Sequence, residues 1–173
     1  YGGAIMAYFG NPKIRNCIFN ENQAIHSGGA LRLYETDNII IENCVFYNNS
    51  LLEESGYGFS PNSVGNTIDF YGNNMQFNFV NCIFWNSGNN PLDAQYSNPI
   101  VNISYSITDF YSEGIVLIDG GFPWTNPGFI DEIEFRLSSN SIAINNGNPS
   151  LEYNDYDGSR NDMGAYGGPA GNW

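Results

Sequence analysis

Gly2-Gly3-Ala4-Ile5 returns about 26 residues later as Gly28-Gly29-Ala30-Leu31, and each copy leads into Asn-Cys-(Ile/Val)-Phe, at 16–19 and 43–46. Asn81-Cys82-Ile83-Phe84 is a third copy of the second half. A unit of this length cannot bury its own apolar face, so such units stack on one another as a solenoid. Every residue therefore has a position in a ladder before it has any chemistry.

The ladder positions can be read off. In the second copy Ile39 and Ile41 alternate with Ile40 and Glu42, the period of a strand. Asn43 marks a bend, after which Cys44 and Phe46 face inward and Val45 outward, before the turn Asn48-Asn49-Ser50. Ile14, Asn16, Cys17 and Phe19, then Asn20-Glu21-Asn22, hold the same places in the first copy; Phe77, Phe79, Asn81, Cys82 and Phe84 hold them in the third. Short strands divided by Asn and Gly corners predict a coil in which each strand pairs in parallel with its successor. Identical side chains then stack, so Asn16, Asn43 and Asn81 are expected to form an internal amide ladder. Cys17, Cys44 and Cys82 are expected as a core column of free thiols. A disulfide between rungs is the alternative, since rungs lie about 4.8 Å apart and bridged Cα atoms about 4.4–6.8 Å.

Composition narrows the partners. Eighteen acidic residues face five basic ones, a formal charge of −13. So few cations cannot neutralise a run of phosphates, which excludes nucleic acid and disfavours polyanionic glycans and anionic membranes. No run of 18 apolar residues is present to span a membrane as a helix. The 27 Asn and 20 Gly suit many tight corners, and the absence of a 3.6-residue period predicts almost no helix. Tyr1 opens inside a repeat with no signal peptide before it, which reads as a processed product or a fragment.

The organisation expected is rungs over 1–119, with an insertion at 51–64 leaving the coil as a loop. Ile103-Ser104-Tyr105-Ser106-Ile107 replaces the Asn-Cys-Ile-Phe segment in the next rung, and Gly114–Asp119 supplies a further strand. Residues 120–173 read as final turns, with strands at Glu134–Leu137 and Ser141–Ile144, and a C-terminal cap.

The Gly-Gly-Ala-(Ile/Leu) tetrads, with Phe19-Asn20-Glu21-Asn22 and Phe46-Tyr47-Asn48-Asn49, resemble the paired GGA(I/L) and FxxN motifs of chlamydial polymorphic outer-membrane protein repeats. Ser87 departs from the pattern in the third copy. The stretch from Asn126-Pro127-Gly128-Phe129 through Ser141-Ile142-Ala143-Ile144-Asn145-Asn146-Gly147 to Asp155-Tyr156-Asp157-Gly158 and Met163-Gly164-Ala165-Tyr166 is similar to the end of right-handed parallel β-helix proteins secreted by bacteria. The resemblance implies a right-handed β-helix on an extracellular or cell-surface protein. It does not imply one activity, because adhesins, structural proteins and polysaccharide lyases share that fold.

Candidate sites compete with structural roles. Asp155, Asp157 and Asp162 around Gly158 offer the hard oxygen donors that Ca2+ takes, or they cap turns while Arg160 pairs with Asp155 or Asp157. Carboxylates for glycoside hydrolysis could come from Glu53, Glu54, Asp69, Asp93 or Asp109. Lys13, Arg15 and Arg32 could form the cationic patch a lyase needs, yet no Lys or Arg follows until Arg136. His26 has no Ser or Cys partner in view. Tyr47, Trp85, Tyr111 and Trp124 could stack on a neutral glycan or pack against a neighbour.

The reading is an all-β, right-handed parallel β-helix of about five to six rungs, an extracellular structural or adhesion module without catalysis. A polysaccharide lyase or glycoside hydrolase is the alternative. Tyr1, Gly2, Gly3 and Ile5 would form an open end that recruits preceding rungs or another copy, with Trp173 as an anchor on the mating surface.

Overall fold

Val, Ile, Leu and Phe at alternate positions, broken every three to five residues by Asn or Gly, can form only short strands, each buried on one face. In a computed structural model of the chain, residues 1–36, 38–52, 67–72, 75–88, 91–94, 99–110 and 116–171 are described, with backbone alone at 93 and 116–118. The first rung is β1 (Ile5–Tyr8), β2 (Lys13–Arg15), β3 (Ile18–Asn20) and β4 (Gln23–Ala24). The second is β5 (Leu31–Tyr34), β6 (Ile39–Glu42), β7 (Val45–Tyr47) and β8 (Ser50–Leu51). The third holds β9 (Ile68–Tyr71), β10 (Gln76–Val80) and β11 (Ile83–Trp85). The fourth holds β12 (Leu92–Asp93), β13 (Ile100–Ser104) and β14 (Ile107–Thr108), and the fifth β15 (Val116–Asp119) and β16 (Phe122–Pro123).

Every strand pairs in parallel with its counterpart one rung away. Three long sheets result, ordered β1-β5-β9-β12, β15-β13-β10-β6-β2 and β16-β14-β11-β7-β3, with β4-β8 as a short fourth. Among the described residues the chain is all-β with parallel sheets only, as the repeats require. The one helical turn among the described residues is a 3-10 turn at Leu151–Tyr153, and no helix there is long and apolar enough to cross a membrane.

In-register pairing converts the repeat into columns. Ile14, Ile41, Phe79 and Ile103 form one. The rings of Phe19, Phe46 and Phe84 stack in another, with centroids 4.8 and 4.7 Å apart and planes within 7°. Burying each such ring contributes about 2–3 kcal/mol, so these columns carry the coil. Cys44 and Cys82 are buried and Cys17 half-buried, all three as free thiols. The Cys17 thiol is pushed up first by its contact with Cys44 and then by burial. Burial pushes Cys44 well above the usual thiol range. Ser106 stands opposite Cys82, its Oγ accepting the Cys82 amide at 3.0 Å.

The corners between the second and third sheets are Asn16, Asn43, Asn81 and Tyr105, at φ 49°, 50°, 57° and 47°. Asn tolerates this left-handed backbone better than most residues, which explains its use there. The resulting kink turns the side chains away from the core, so the expected internal amide ladder does not form. Asn16 Nδ2 donates to the carbonyls of Ala165 and Gly167, both at 2.8 Å. Asn43 Nδ2 donates to Asn161 Oδ1 and to the Asp162 and Gly164 carbonyls at 2.9–3.3 Å. Asn81 Oδ1 accepts the Asn148 amide at 2.7 Å.

Residues 124–171 therefore run along the flank of the coil, from the third rung at Asn148 to the first at Gly167, where a terminal cap was expected. Phe135, Ala143, Met163 and Ala165 cover Val45, Ile83 and Ile107, the outward-facing positions of the third sheet, and make a second core. Gly164 stands at φ +93°, a backbone that residues with side chains rarely adopt, and a Cβ there would lie 2.9 Å from Ile83 Cδ1. The strands expected at Glu134–Leu137 and Ser141–Ile144 do not form. A single antiparallel bridge, Phe129 to Leu137, stands in their place, where the backbone closes on itself, Ile130 and Ser138 donating to the carbonyls of Arg136 and Gly128 at 2.8 Å.

Candidate functional site

The first rung differs from those behind it. Ile5 is 37% exposed, whereas Leu31 and Ile68 in the same column are at 0%. Met6, Tyr8 and Phe9 beside it are exposed as well. The amides of Gly2, Gly3 and Ile5 donate back to the carbonyls of Ser27, Gly28 and Ala30 at 3.0 Å. A Cβ on Gly3 would lie 2.0 Å from the Gly29 carbonyl oxygen, so the tetrad is what allows adjacent rungs to close up at this corner. The assembly residues expected at this end, Tyr1, Gly2, Gly3 and Ile5, sit together on the outermost rung. Trp173 lies outside the described residues.

Above this edge, Tyr8, Tyr34 and Tyr71 stack on the outer face of the first sheet, with centroids 4.6 and 4.7 Å apart. Arg32 lies over the Tyr1 ring at 4.1 Å and bonds Asp69 at 3.0 Å and the Ser27 hydroxyl. Tyr1 in turn packs on His26, centroids 5.0 Å apart. Arg15 bonds Glu42 at 2.5 Å across the first two strands of the second sheet. Two of the three cations considered for a lyase patch are thus held in separate ion pairs on different sheets. Asp109 Oδ2 accepts the Ser87 amide at 2.8 Å. Glu53, Glu54, Tyr111 and the Asp93 side chain lie outside the described residues.

The aspartates expected to bind Ca2+ are on the flank segment, beside an open cavity of ≈ 440 Å³. Asp155 accepts the amides of Gly168 at 2.5 Å and Asp162 at 3.0 Å. Asp162 Oδ1 accepts the Asn145 amide at 2.7 Å, and Asp157 Oδ1 accepts both the amide and the hydroxyl of Ser159. Desolvation raises the carboxyls of Asp155 and Asp162 above the usual range, whereas the Ser159 hydroxyl holds Asp157 below it. Among the described residues no group of three or more His, Cys, Asp or Glu is gathered to hold a metal ion. Arg160 does not pair with Asp155 or Asp157. Its Nε donates to the Gly147 carbonyl at 2.8 Å and one terminal nitrogen to that of Asn146, and this fastens one loop of the flank to another.

Sequence reasoning missed the amide pairs that do form between rungs, Asn22 with Asn49 and Asn102 with Asn78. Asn22 donates from its amide and from Nδ2 to Asn49 Oδ1, at 3.0 and 2.9 Å. Asn49 Nδ2 reaches back to the Phe19 carbonyl at 2.8 Å. The signal for the first pair was present in the last residue of each Phe-x-x-Asn motif, at the same column of two rungs. Comparison with family models, curated proteins and solved structures yields no match.

Proposed function

We propose that this chain is a non-catalytic structural or adhesion module of a secreted, cell-surface protein, whose coil continues into further rungs or further copies. The observation that carries this reading is the exposed first rung. Ile5, Met6 and Tyr8 are exposed on a strand that, among the described residues, pairs on one side only, while one rung inward Leu31 is buried and Arg32 and Tyr34 are half-buried. An open strand edge with apolar side chains recruits a further strand. The secreted location and the right-handed coil rest on the likeness of the Gly-Gly-Ala and Phe-x-x-Asn motifs to those of bacterial surface proteins.

Catalysis of glycan cleavage is the weaker reading. Arg15 and Arg32 are engaged by Glu42 and Asp69, and the flank aspartates accept backbone amides. A neutral glycan remains a fitting partner for exposed aromatics such as Tyr8 and Trp124. The test incubates the protein with a panel of neutral and uronic polysaccharides and measures reducing ends and unsaturated uronates. No product is expected, and accumulating product would overturn the non-catalytic reading. Protease treatment of intact producing cells checks the location: the chain should be cleaved without lysis.

A further inference from the structure

Three cysteines and a serine hold one position in four consecutive rungs. The register that pairs Ile18 with Val45, Val45 with Ile83 and Ile83 with Ile107 sets Cys17, Cys44, Cys82 and Ser106 opposite one another. Each donates to the carbonyl two residues before it: Cys17 to Arg15 at 3.0 Å, Cys44 to Glu42 at 3.3 Å, Cys82 to Val80 at 3.4 Å and Ser106 to Ser104 at 2.8 Å. The four side chains therefore share one orientation.

Neighbouring Cα atoms in such a column are one rung apart, about 4.8 Å. Bridged cysteines have Cα atoms about 4.4–6.8 Å apart. Rung-to-rung hydrogen bonds on either side of the first pair hold that spacing. The Asn16 amide donates to the Glu42 carbonyl at 3.1 Å, and the Val45 amide to the Cys17 carbonyl at 2.9 Å.

From this we propose that Cys17 and Cys44 close into a disulfide between the first and second rungs, while Cys82 stays a thiol. The proposal rests on the secreted location given above, where oxidants are at hand, and adds a covalent brace to the coil. Cys44 lies between the other two and can bond only one of them. Its sulfur leans toward the first rung, 3.9 Å from the Ile14 carbonyl. Cys82 is held more firmly, its sulfur within 3.5 Å of both the Val80 and Ile41 carbonyls and its amide on Ser106 Oγ. Cys17 and Cys44 are also closer along the chain, 27 positions against 38, so closure favours them as the coil forms.

The oxidant is a small-molecule disulfide such as oxidised glutathione. The thiolate of one cysteine attacks it, forming a mixed disulfide and releasing one small thiol. The thiolate of the second cysteine then displaces the other small thiol, so two electrons pass to the oxidant and its two halves leave carrying the two protons. Contact with Cys44 and then burial push the Cys17 thiol up, and burial pushes up that of Cys44. Only thiolates attack, so the bond forms while the chain folds and exchanges slowly afterwards.

The test refolds the reduced, urea-unfolded chain in a mixture of oxidised and reduced glutathione, then counts thiols and maps the bond. Cleavage after glutamate places the three cysteines in separate peptides, 1–21, 43–53 and 55–113. Peptide 1–21 should be joined to 43–53, with one thiol left per chain. The oxidised protein should melt about 5–10 °C above the reduced one. Cys82→Ser should keep both the bond and the shift, whereas Cys44→Ser should lose both. Serine suits these variants because Ser106 already holds this position with the same backbone bond.

Three thiols remaining in the refolded native chain would overturn the proposal. Peptide 43–53 joined to 55–113 would overturn the pair and move the brace to the second and third rungs. A bond that forms as described in a chain that protease cannot reach on intact cells would uphold the geometry and sink the location.

Discussion

The coil and its flank are built by opposite means. In the coil, identical residues stack on one another through a backbone ladder, as Phe19, Phe46 and Phe84 do. Along the flank, residues 124–171 contain no strand beyond one bridge, and side chains of the coil bond to their backbone. Asn43 alone makes three donations to the segment, at 2.9–3.3 Å. The difference shows what a repeat can and cannot specify. Periodicity fixes what lies one rung away, but it leaves the outward face of each strand uncommitted, and a non-repetitive segment can use that face. Val45, Ile83 and Ile107 look like surface residues in the repeat and are core residues in the fold.

The largest expected effect lies in the coil. Phe46→Ala empties a site 1% exposed between two stacked rings. It should cost about 3–5 kcal/mol, measured by urea unfolding, and should lower the transition of coil and flank together. A variant that melted the flank alone would break the comparison.

Asn43→Gly comes next, because glycine keeps the left-handed backbone (φ 50°) and removes only the side chain's bonds to the flank, its donations and the one it accepts from Asn161 Nδ2. A loss of about 2 kcal/mol is expected, together with faster proteolysis within 124–171 and little change in the coil. Equal protection of the flank in native and variant protein would show that the apolar contacts hold it without the asparagines.

Gly164→Ala should destabilise by about 1–3 kcal/mol through overpacking against Ile83. Truncating the neighbour as well, in Gly164→Ala with Ile83→Val, should recover part of that loss. No recovery would assign the effect to the backbone at φ +93°.

The smallest effect is with pH and belongs to the flank. Burial raises the folded pKa of Asp155 and of Asp162 above the unfolded carboxylate value, which is about 3.9. Their contribution is therefore fully present below that value and is lost as pH rises through the folded pKa values. Asp157 is lowered and acts only below about pH 3.9, outside this window. Hydrogen exchange should show the flank amides better protected near about pH 4.5 than near neutrality, with Asp162→Asn flattening the dependence. A flank that loosened steadily on mild acidification would reverse the sign.

Much of the coil was legible because a period is a local property repeated. The strand alternation, the corner asparagines and the aromatic column all follow from spacing along the chain, and Phe46 could be placed inward without knowing its neighbours. Asn22 and Asn49 were equally readable from the Phe-x-x-Asn motif, and were overlooked because Asn16, Asn43 and Asn81 form the longer series. The flank was not legible for a physical reason: its corner-asparagine partners are 67 to 151 residues away in the sequence, as in Asn81 to Asn148 and Asn16 to Gly167.

The Asp155–Asp162 cluster shows the same limit in chemistry. Alternating carboxylates around a glycine turn are a donor set for a cation or a set of caps, and composition cannot separate the two. Here Asp155 and Asp162 accept the amides of Gly168, Asp162 and Asn145, as caps of the flank's turns do.

By itself the sequence determined the repeat, and with it the parallel register, the inward columns and the identity of the corners, because in-register stacking of equivalent residues is the only way such units bury their apolar sides. The tertiary structure alone decided which way the corner asparagines point and what covers the third sheet. Those outcomes depend on how a left-handed corner aims its side chain and on where a distant, non-repetitive segment finds unsatisfied donors, and neither is encoded at any fixed spacing.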